Sequence, residues 1–377
     1  MSTDDRCLLP ADSASTRDTL TVLLHGAIDT AHAPVPVNDG ERLLFRQWFA
    51  APLRLDCEGR PRPAVAEAWT RDSSGKTWTL LLAEHAGVSA GELASAWQSR
   101  PGAVAALRWA GMETVTPLHP SRLVVTFGAA QDSVPAVFAD PALSIRLPGD
   151  PRPVLVPFPT AGSDLRDALD RGVDLVPTDD PTLLEYAGRR PELTTAALPW
   201  TRTYGLVLSP TRPPLLPSSM TDSSAFRDAL ARDAVPVSAR GAEPPYWWED
   251  SARCGITGSG KPPSHEAPEE TVVYPQDDPV GRALAERIVA LTHDSRIRAR
   301  GLDAGELADA LHAGSPRGVI LALPRNPLAP CREMAGWAGG GHLVPLVDVR
   351  ATLILRRELP PLTVDWDGAV RGVGRSP

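Results

Sequence analysis

Residues 53–97 read LRLDCEGRPRPAVAEAWTRDSSGKTWTLLLAEHAGVSAGELASAW, and their order sets the expectation for the whole chain. A short aliphatic and turn element, LRLDCEGRPRP, leads into AVAEAW. A charged turn, TRDSSGK, then separates it from the strand TWTLLL. Ser89 opens a helix with Glu92 three residues on, a capping box in which each side chain satisfies an orphan backbone N–H. Leu93, Ala96 and Trp97 form the inner face of that helix. Two hairpin-like turns, a tryptophan-ended segment and a capped helix follow one another without a catalytic-looking cluster, the pattern of a ligand-binding scaffold.

Outward from this stretch, Thr19–Leu24 reads as the first strand. Arg42–Phe49 carries Leu44, Phe45, Trp48 and Phe49 at helical spacing. A strand is expected over Arg122–Phe127, and Asp150–Pro159 reads as a proline-rich crossing between subdomains. Ser163 caps a helix that Gly172 ends, with VDLV as the following strand. A small helix over Pro181–Arg189 precedes a strand over Tyr204–Leu208, and Pro210–Pro217 is again proline-rich. Thr271–Tyr274 is a strand before Asp278-Pro279, an N-cap followed by proline at the first helical position. Ile297–Arg300, a second capping box at Asp303 and Glu306, and Val319–Leu323 complete a βαβαβ unit of mainly parallel strands. Two α/β regions joined by proline-rich crossings imply two lobes.

Composition narrows the function. The chain has 377 residues, long enough for two or three domains, with 42% hydrophobic and 22% charged residues and 40 prolines. Net charge is −8 without a basic block, so nucleic acid is not an expected partner. No apolar run approaches the roughly 18 residues that span a bilayer. The N-terminal residues show neither the basic nor the apolar region of a signal peptide, and Cys7 follows Asp-Asp-Arg rather than a lipobox. Cys7, Cys57, Cys254 and Cys331 form no CxxC, which argues against zinc; free thiols are the default expectation, and a Cys254–Cys331 disulfide is the alternative for an exported protein.

The opening stretch resembles the family 5 (oligopeptide, dipeptide and nickel type) extracellular solute-binding proteins of ABC transporters. METVTPLHPSRLVVTF, LRDALDRGVDLV, TYGLVLSPTRPPL, AFRDALARDAV and ETVVYPQDDPVGRALAERIVALT are similar to further family elements in the same order, over roughly residues 17–330. The resemblance implies a two-lobed α/β periplasmic-binding-protein fold (type II, cluster C like). Residues 1–16, polar and small, read as a disordered lead-in; the resemblance implies a first lobe over 17–208 with a subdomain over about 45–150, a second lobe over 209–335, and a segment over 336–377 returning to the first lobe. The chain is shorter than typical members, with the middle lobe trimmed around Ala234–Glu270.

Candidate ligand contacts are Trp200, Arg202 and Tyr204, where the resemblance puts chain entering the cleft, and Tyr246, Trp247 and Trp248 in PPYWWED. Core packing is the alternative for Trp200 and Tyr204. Adjacent Trp247 and Trp248 cannot both face one core from a strand, because successive side chains alternate. Where peptide binders carry an acid for the ligand's amino group, this chain has PRNP, and Arg325 there favours an anionic group. GITGSGK, residues 255–261, has phosphate-loop spacing, but Pro262 stands where a Ser or Thr would meet Mg²⁺, so it reads as a turn. His25, just after the first strand, reads as a surface or satisfied histidine rather than a cleft residue, and Asp29 as a turn or cap residue rather than a ligand contact. No metal site, cofactor or catalytic residue is expected.

The expectation is therefore a substrate-binding component of an ABC transporter, monomeric, capturing a peptide-like or other small polar solute by hinge closure and presenting it to a permease. Its place would be periplasmic or extracytoplasmic. A cytoplasmic ligand sensor, or a degenerate homologue without a transport role, is the alternative; an enzyme is the third and least supported reading.

Overall fold

In the computed structural model, the described residues are 7–10, 15, 17–24, 28–148, 154–158, 165–200, 202–208, 215–216, 223–236, 239–240, 270–313, 316–324 and 342–372. The chain forms two compact units: unit 1 is Met1–Pro199 with Ala351–Pro377, and unit 2 is Trp200–Arg350.

Unit 1 is built on a five-stranded sheet of β1 (Thr19–Val22), β10 (Val154–Pro157), β11 (Leu175–Thr178), β12 (Leu193–Ala197) and β18 (Thr352–Arg356), in the order β10-β1-β11-β18-β12. β10 and β11 run parallel to β1, and β18 runs antiparallel to both β11 and β12. Strand alternation sends Leu175, Leu353 and Leu355 to one face and Val176 and Ile354 to the other. The second face is covered by α4 (Leu165–Asp170) and α5 (Pro181–Gly188) through Leu169, Leu183 and Ala187. α4 ends as its sequence requires, at Gly172 with φ +94°. The proline-rich segment expected to be a crossing supplies β10 instead, because Val154–Pro157 takes the free edge of β1.

The subdomain within unit 1 begins with α1 (Asp39–Trp48), capped by Asn38. Its buried face is not purely the apolar one expected, since Glu41 and Arg46 are buried beside Leu43 and Phe45. Glu41 accepts hydrogen bonds from the N–H groups of Asp29 and Val37 and pairs with Nδ1 of His32. Burial opposes its charge, but these partners outweigh it and hold the carboxyl below its ordinary range. Asp29 caps a short 3-10 turn over Thr30–His32, as a turn residue should. β2 (Phe49–Ala50) pairs with β9 (Ile145–Arg146), and β3 (Leu53–Leu55) with β4 (Pro61–Pro63). The decisive stretch then enters a four-stranded antiparallel sheet of β5 (Ala66–Arg71), β6 (Thr77–Leu82), β7 (Met112–His119) and β8 (Arg122–Phe127), ordered β5-β6-β8-β7.

Trp78, Leu80 and Leu82 alternate inward from β6, as do Leu123, Val125 and Phe127 from β8, so one face of this sheet is buried. α2 (Ala90–Ser99) and α3 (Pro101–Trp109) pack against it, and the expected Ser89–Glu92 capping box is present. Trp97 is fully buried and its Nε1 donates to the Leu143 carbonyl at 2.9 Å.

The last element of unit 1 is the hairpin of β19 (Leu362–Val364) and β20 (Val370–Gly372). It holds the N-terminal residues: Leu9 is buried and donates its N–H to Leu362, and Cys7 is disulfide-bonded to Cys57. Two expectations are corrected here. Residues 7–10 are not part of a disordered lead-in, and Cys7 and Cys57 are not free thiols. The first depends on a strand pairing hundreds of residues distant and the second on a partner 50 residues away, and no local pattern announces either. Cys254 and Cys331 lie outside the described residues.

Unit 2 is a second five-stranded sheet, of β13 (Arg202–Leu208), β14 (Thr271–Pro275), β15 (Arg298–Leu302), β16 (Gly318–Pro324) and β17 (His342–Val349), ordered β15-β14-β16-β13-β17. β14, β15 and β16 are parallel, and β13 is antiparallel to β16 and β17. α6 (Ser224–Ala234) and α7 (Pro279–Thr292) cover one face through Leu230, Leu284 and Ile288. α8 (Ala304–Ala313) covers the other through Leu307, against Val273, Val319 and Leu321. The expected βαβαβ unit is thus β14-α7-β15-α8-β16. β13, read from sequence as part of the first lobe, and β17, read as part of the returning segment, both hydrogen-bond within unit 2.

The two sheets share one plan, three parallel strands followed by an antiparallel strand and a final parallel one. In each unit the antiparallel strand is the first that the chain forms on crossing over: β13 after residues 199–200, β18 after residues 350–351.

Candidate functional site

In an open α/β sheet, ligands collect outside the carboxyl ends of the strands where the connections diverge. Unit 2 has such a point. From β14 the chain passes through α7 to β15 on one side, then through α8 to β16 on the other. Pairing of β14 with β16 reaches Val273–Val319, whereas β14 continues with β15 to Pro275–Leu302 and β16 continues with β13 to Pro324–Arg202. The two strands therefore part at their carboxyl ends. The N-terminus of α7 follows β14 at the same edge, capped by Asp278, which accepts from the N–H groups of Val280 and Gly281. α8 begins there too, with Glu306 N–H donating 2.8 Å to Asp303 in the second expected capping box.

The structure places three of the expected ligand contacts at this edge. Arg202 is the first residue of β13, half-buried, opposite Pro324 on one side and Val349 on the other. Trp200 is half-buried, with the Arg350 guanidinium 4.5 Å above its ring, a cation–π geometry. Tyr204 takes the alternative reading. It is a core residue of unit 2 with 5% exposure, and its hydroxyl donates 2.8 Å to Asp278. A side chain committed to the helix cap positions the edge rather than lining it.

Tyr246, Trp247, Trp248 and Arg325 lie outside the described residues, as do GITGSGK and His25. β16 ends at Pro324, so the chain arrives at this edge immediately before Arg325.

Several neighbours at the edge were not singled out from sequence. Thr203 is fully buried and donates its hydroxyl to the buried Asp348 across the β13–β17 pair. Arg240 forms an isolated antiparallel bridge with Val349, and the Arg350 N–H donates 3.0 Å to the Ala239 carbonyl. Asp348 carried a usable sign, a lone acid in the apolar run LVPLVDV; Arg240 carried none.

Unit 1 holds an open cleft of about 450 Å³ lined by Trp48, Glu92, Arg146 and Pro148 among others. Its polar groups already have tasks: Arg146 lies 5.9 Å from the Trp48 ring, and Glu92 belongs to the α2 capping box. Among the described residues no group of His, Cys, Asp and Glu is arranged to hold a metal ion. No described helix is long and apolar enough to cross a membrane.

No family model matches the sequence, and no curated protein is significantly similar to it. Solved structures do match. A periplasmic oligopeptide-binding protein (OppAIV) from Borrelia burgdorferi aligns with a TM-score of 0.63 at 11% identity, covering 90% of this chain and 95% of that one. The murein tripeptide binding protein MppA of Escherichia coli aligns at 0.61 and 10%, covering 97% and 100%. AgaA from A. tumefaciens R10, solved with agropinic acid, aligns at 0.60 and 12%, covering 90% and 93%. These matches are binding proteins, not enzymes, and the likeness spans nearly the whole of each chain. The fold is that of the family 5 solute-binding proteins, two-lobed periplasmic binding proteins.

Proposed function

We propose that this chain is the substrate-binding component of an ABC transporter, capturing a peptide-like or other small polar solute by closure of two lobes and presenting it to a permease. The observation that carries this reading is the fold likeness, which covers nine-tenths or more of both chains in proteins that bind an oligopeptide, a tripeptide and agropinic acid. The parting of β14 and β16 at their carboxyl ends supports it, because open α/β sheets take ligands at such a point. We keep Trp200, Arg202, Tyr246, Trp247, Trp248 and Arg325 as proposed ligand contacts. Binding would shift an open–closed equilibrium by its preference for the closed form.

Thermal-shift screening of peptides, amino acids, sugars and metal chelates tests the reading. A true solute at a hundred times its Kd stabilises by about 2.7 kcal/mol. A flat response across that panel would count against solute binding. We place the protein in the periplasm or another extracytoplasmic space, working as a monomer. The Cys7–Cys57 disulfide supports that location over the cytoplasmic-sensor reading, since such bonds persist in oxidising compartments. Alkylation of thiols in intact cells should find both cysteines blocked; full labelling of Cys57 without reductant would favour the cytoplasm.

A further inference from the structure

Three buried carboxylates of unit 1 are met by arginine. Asp174 lies 2.6 Å from Arg17, Asp56 lies 3.1 Å from Arg60 and 3.0 Å from Arg62, and Asp365 lies 2.7 Å from Arg371. A guanidinium group keeps its proton throughout the physiological pH range, so these pairs do not titrate there. Glu41 is matched differently. Its side chain is 1% exposed, and the cation it meets is the imidazole of His32, 2.8 Å away.

The same carboxylate gathers the two ends of a surface turn. Oε1 accepts the Asp29 N–H at 3.0 Å and faces His32 Nδ1, while Oε2 accepts the Val37 N–H at 2.9 Å. No residue from Asp29 to Val37 is buried, so these polar contacts, rather than a core of its own, hold the turn to α1. Hydrogen bonds from His32 to Asp29, from Ala33 to Thr30 and from Val35 to His32 shape the turn without fastening it.

The charged groups facing the imidazole are Glu41 from α1 and Asp29 from its own turn, whose Oδ2 is 3.9 Å from Nε2. Asp39 and Arg42 of α1 pair with each other at 2.6 Å. Protonated, the ring carries an N–H on both nitrogens, one for Glu41 and one on the side of Asp29. Neutral, it keeps one N–H and no charge. The hydrogen bond to Glu41, with the charges of Glu41 and Asp29, outweighs desolvation and raises the His32 pKa above its ordinary value. A base raised in this way contributes stability that is complete below its unfolded pKa of about 6.5 and is lost as pH rises through the folded one.

From this geometry we infer that His32 is a pH-sensitive latch: protonated, it fastens the Asp29–Val37 turn to the buried carboxylate of α1, and neutral, it loosens that hold. The turn belongs to the connection that leaves the carboxyl end of β1 and enters α1. Open α/β sheets take their ligands at that end of the parallel strands, so the latch sits on a ligand-side connection of unit 1.

Hydrogen exchange of the full chain without solute, read by mass spectrometry and corrected for intrinsic rates, tests it. The peptides to compare span residues 28–38 and, as a control in β6, 77–82. Protection over 28–38 should fall about twofold to fivefold between about pH 5 and about pH 8, the range of a partly exposed ion pair across the window in which imidazole changes charge. His32→Gln should remove that step. His32→Lys, which stays charged, should also lack it while keeping more protection than His32→Gln at the higher pH. Equal protection of 28–38 at both pH values in the parent protein, a step that survives in His32→Gln, or a fall shared equally by 77–82 would each overturn the inference. Any of these results leaves the solute-binding reading standing, because no solute enters the measurement.

Discussion

Arg46 and Asp367 show how single residues of unit 1 carry more than the hydrophobic pattern records. Arg46 is 8% exposed and donates from both Nε and a terminal nitrogen to Asp367, at 3.0 and 2.7 Å. Burial alone would raise the Asp367 pKa, but the Arg46 and Arg42 guanidinium groups overcome it and hold the carboxyl at about 2. A carboxyl depressed in the folded state contributes stability that is present above its unfolded value near 4. That contribution, about 2 kcal/mol, is lost as pH falls through 2. Asp367→Asn should therefore cost about 3–5 kcal/mol at neutral pH, because it leaves a buried guanidinium without its anion. Urea unfolding at pH 7 and pH 3 checks both statements: the variant's deficit should shrink at the lower pH. Tyr204→Phe makes a smaller point. Loss of its hydrogen bond to Asp278 should cost about 1 kcal/mol, and an equal loss of solute affinity would return Tyr204 to the ligand surface.

At the scale of elements, the disulfide joins the N-terminal segment to the turn between β3 and β4. Cys7 and Cys57 are 50 residues apart, a loop whose cross-link is worth about 4 kcal/mol on the chain-entropy account. Cys57→Ser should lower the free energy of urea unfolding by that order, and reductant should do the same to the parent protein and nothing further to the variant. Local signals elsewhere were readable because they act within a few residues. The capping boxes at Ser89 and Asp303, the Asp278-Pro279 start and the Gly172 stop all appear where the sequence puts them. The alternation in TWTLLL and RLVVTF fixed which side of the subdomain sheet is buried. What failed were statements that need a distant partner. β10 looked like a linker because its prolines hid an edge strand, and Leu9 looked mobile because β19 lies at the far end of the chain. The site divides the same way. Trp200 and Arg202 were legible as an aromatic and a cation beside a strand, whereas Arg240 and Arg350 become neighbours only through the pairing of β17.

At the scale of the molecule, the double crossing of the chain between units makes an asymmetric prediction about what folds alone. Every strand of the unit 2 sheet comes from Trp200–Arg350, so that segment carries a complete sheet and the helices on both its faces. Unit 1 is discontinuous, and its second piece supplies β18, the strand between β11 and β12. A fragment ending at Pro199 lacks that strand. It leaves β11 and β12 with bare edges and exposes Val176 and Leu193, which pack with Ile354. The fragment 1–199 should therefore be unfolded or aggregated, while 200–350 should give a dispersed amide spectrum and a cooperative melt. Joining the pieces tests the explanation. Leu198 donates its N–H to the Ala351 carbonyl at 3.0 Å, so the ends left by removing residues 200–350 are already adjacent. A short glycine linker from Pro199 to Ala351 closes that gap at little loop entropy. The linked unit 1 should recover near-native secondary structure and cooperative unfolding that 1–199 lacks. A linked protein as disordered as the fragment would show that unit 1 draws its stability from unit 2 rather than from its own sheet.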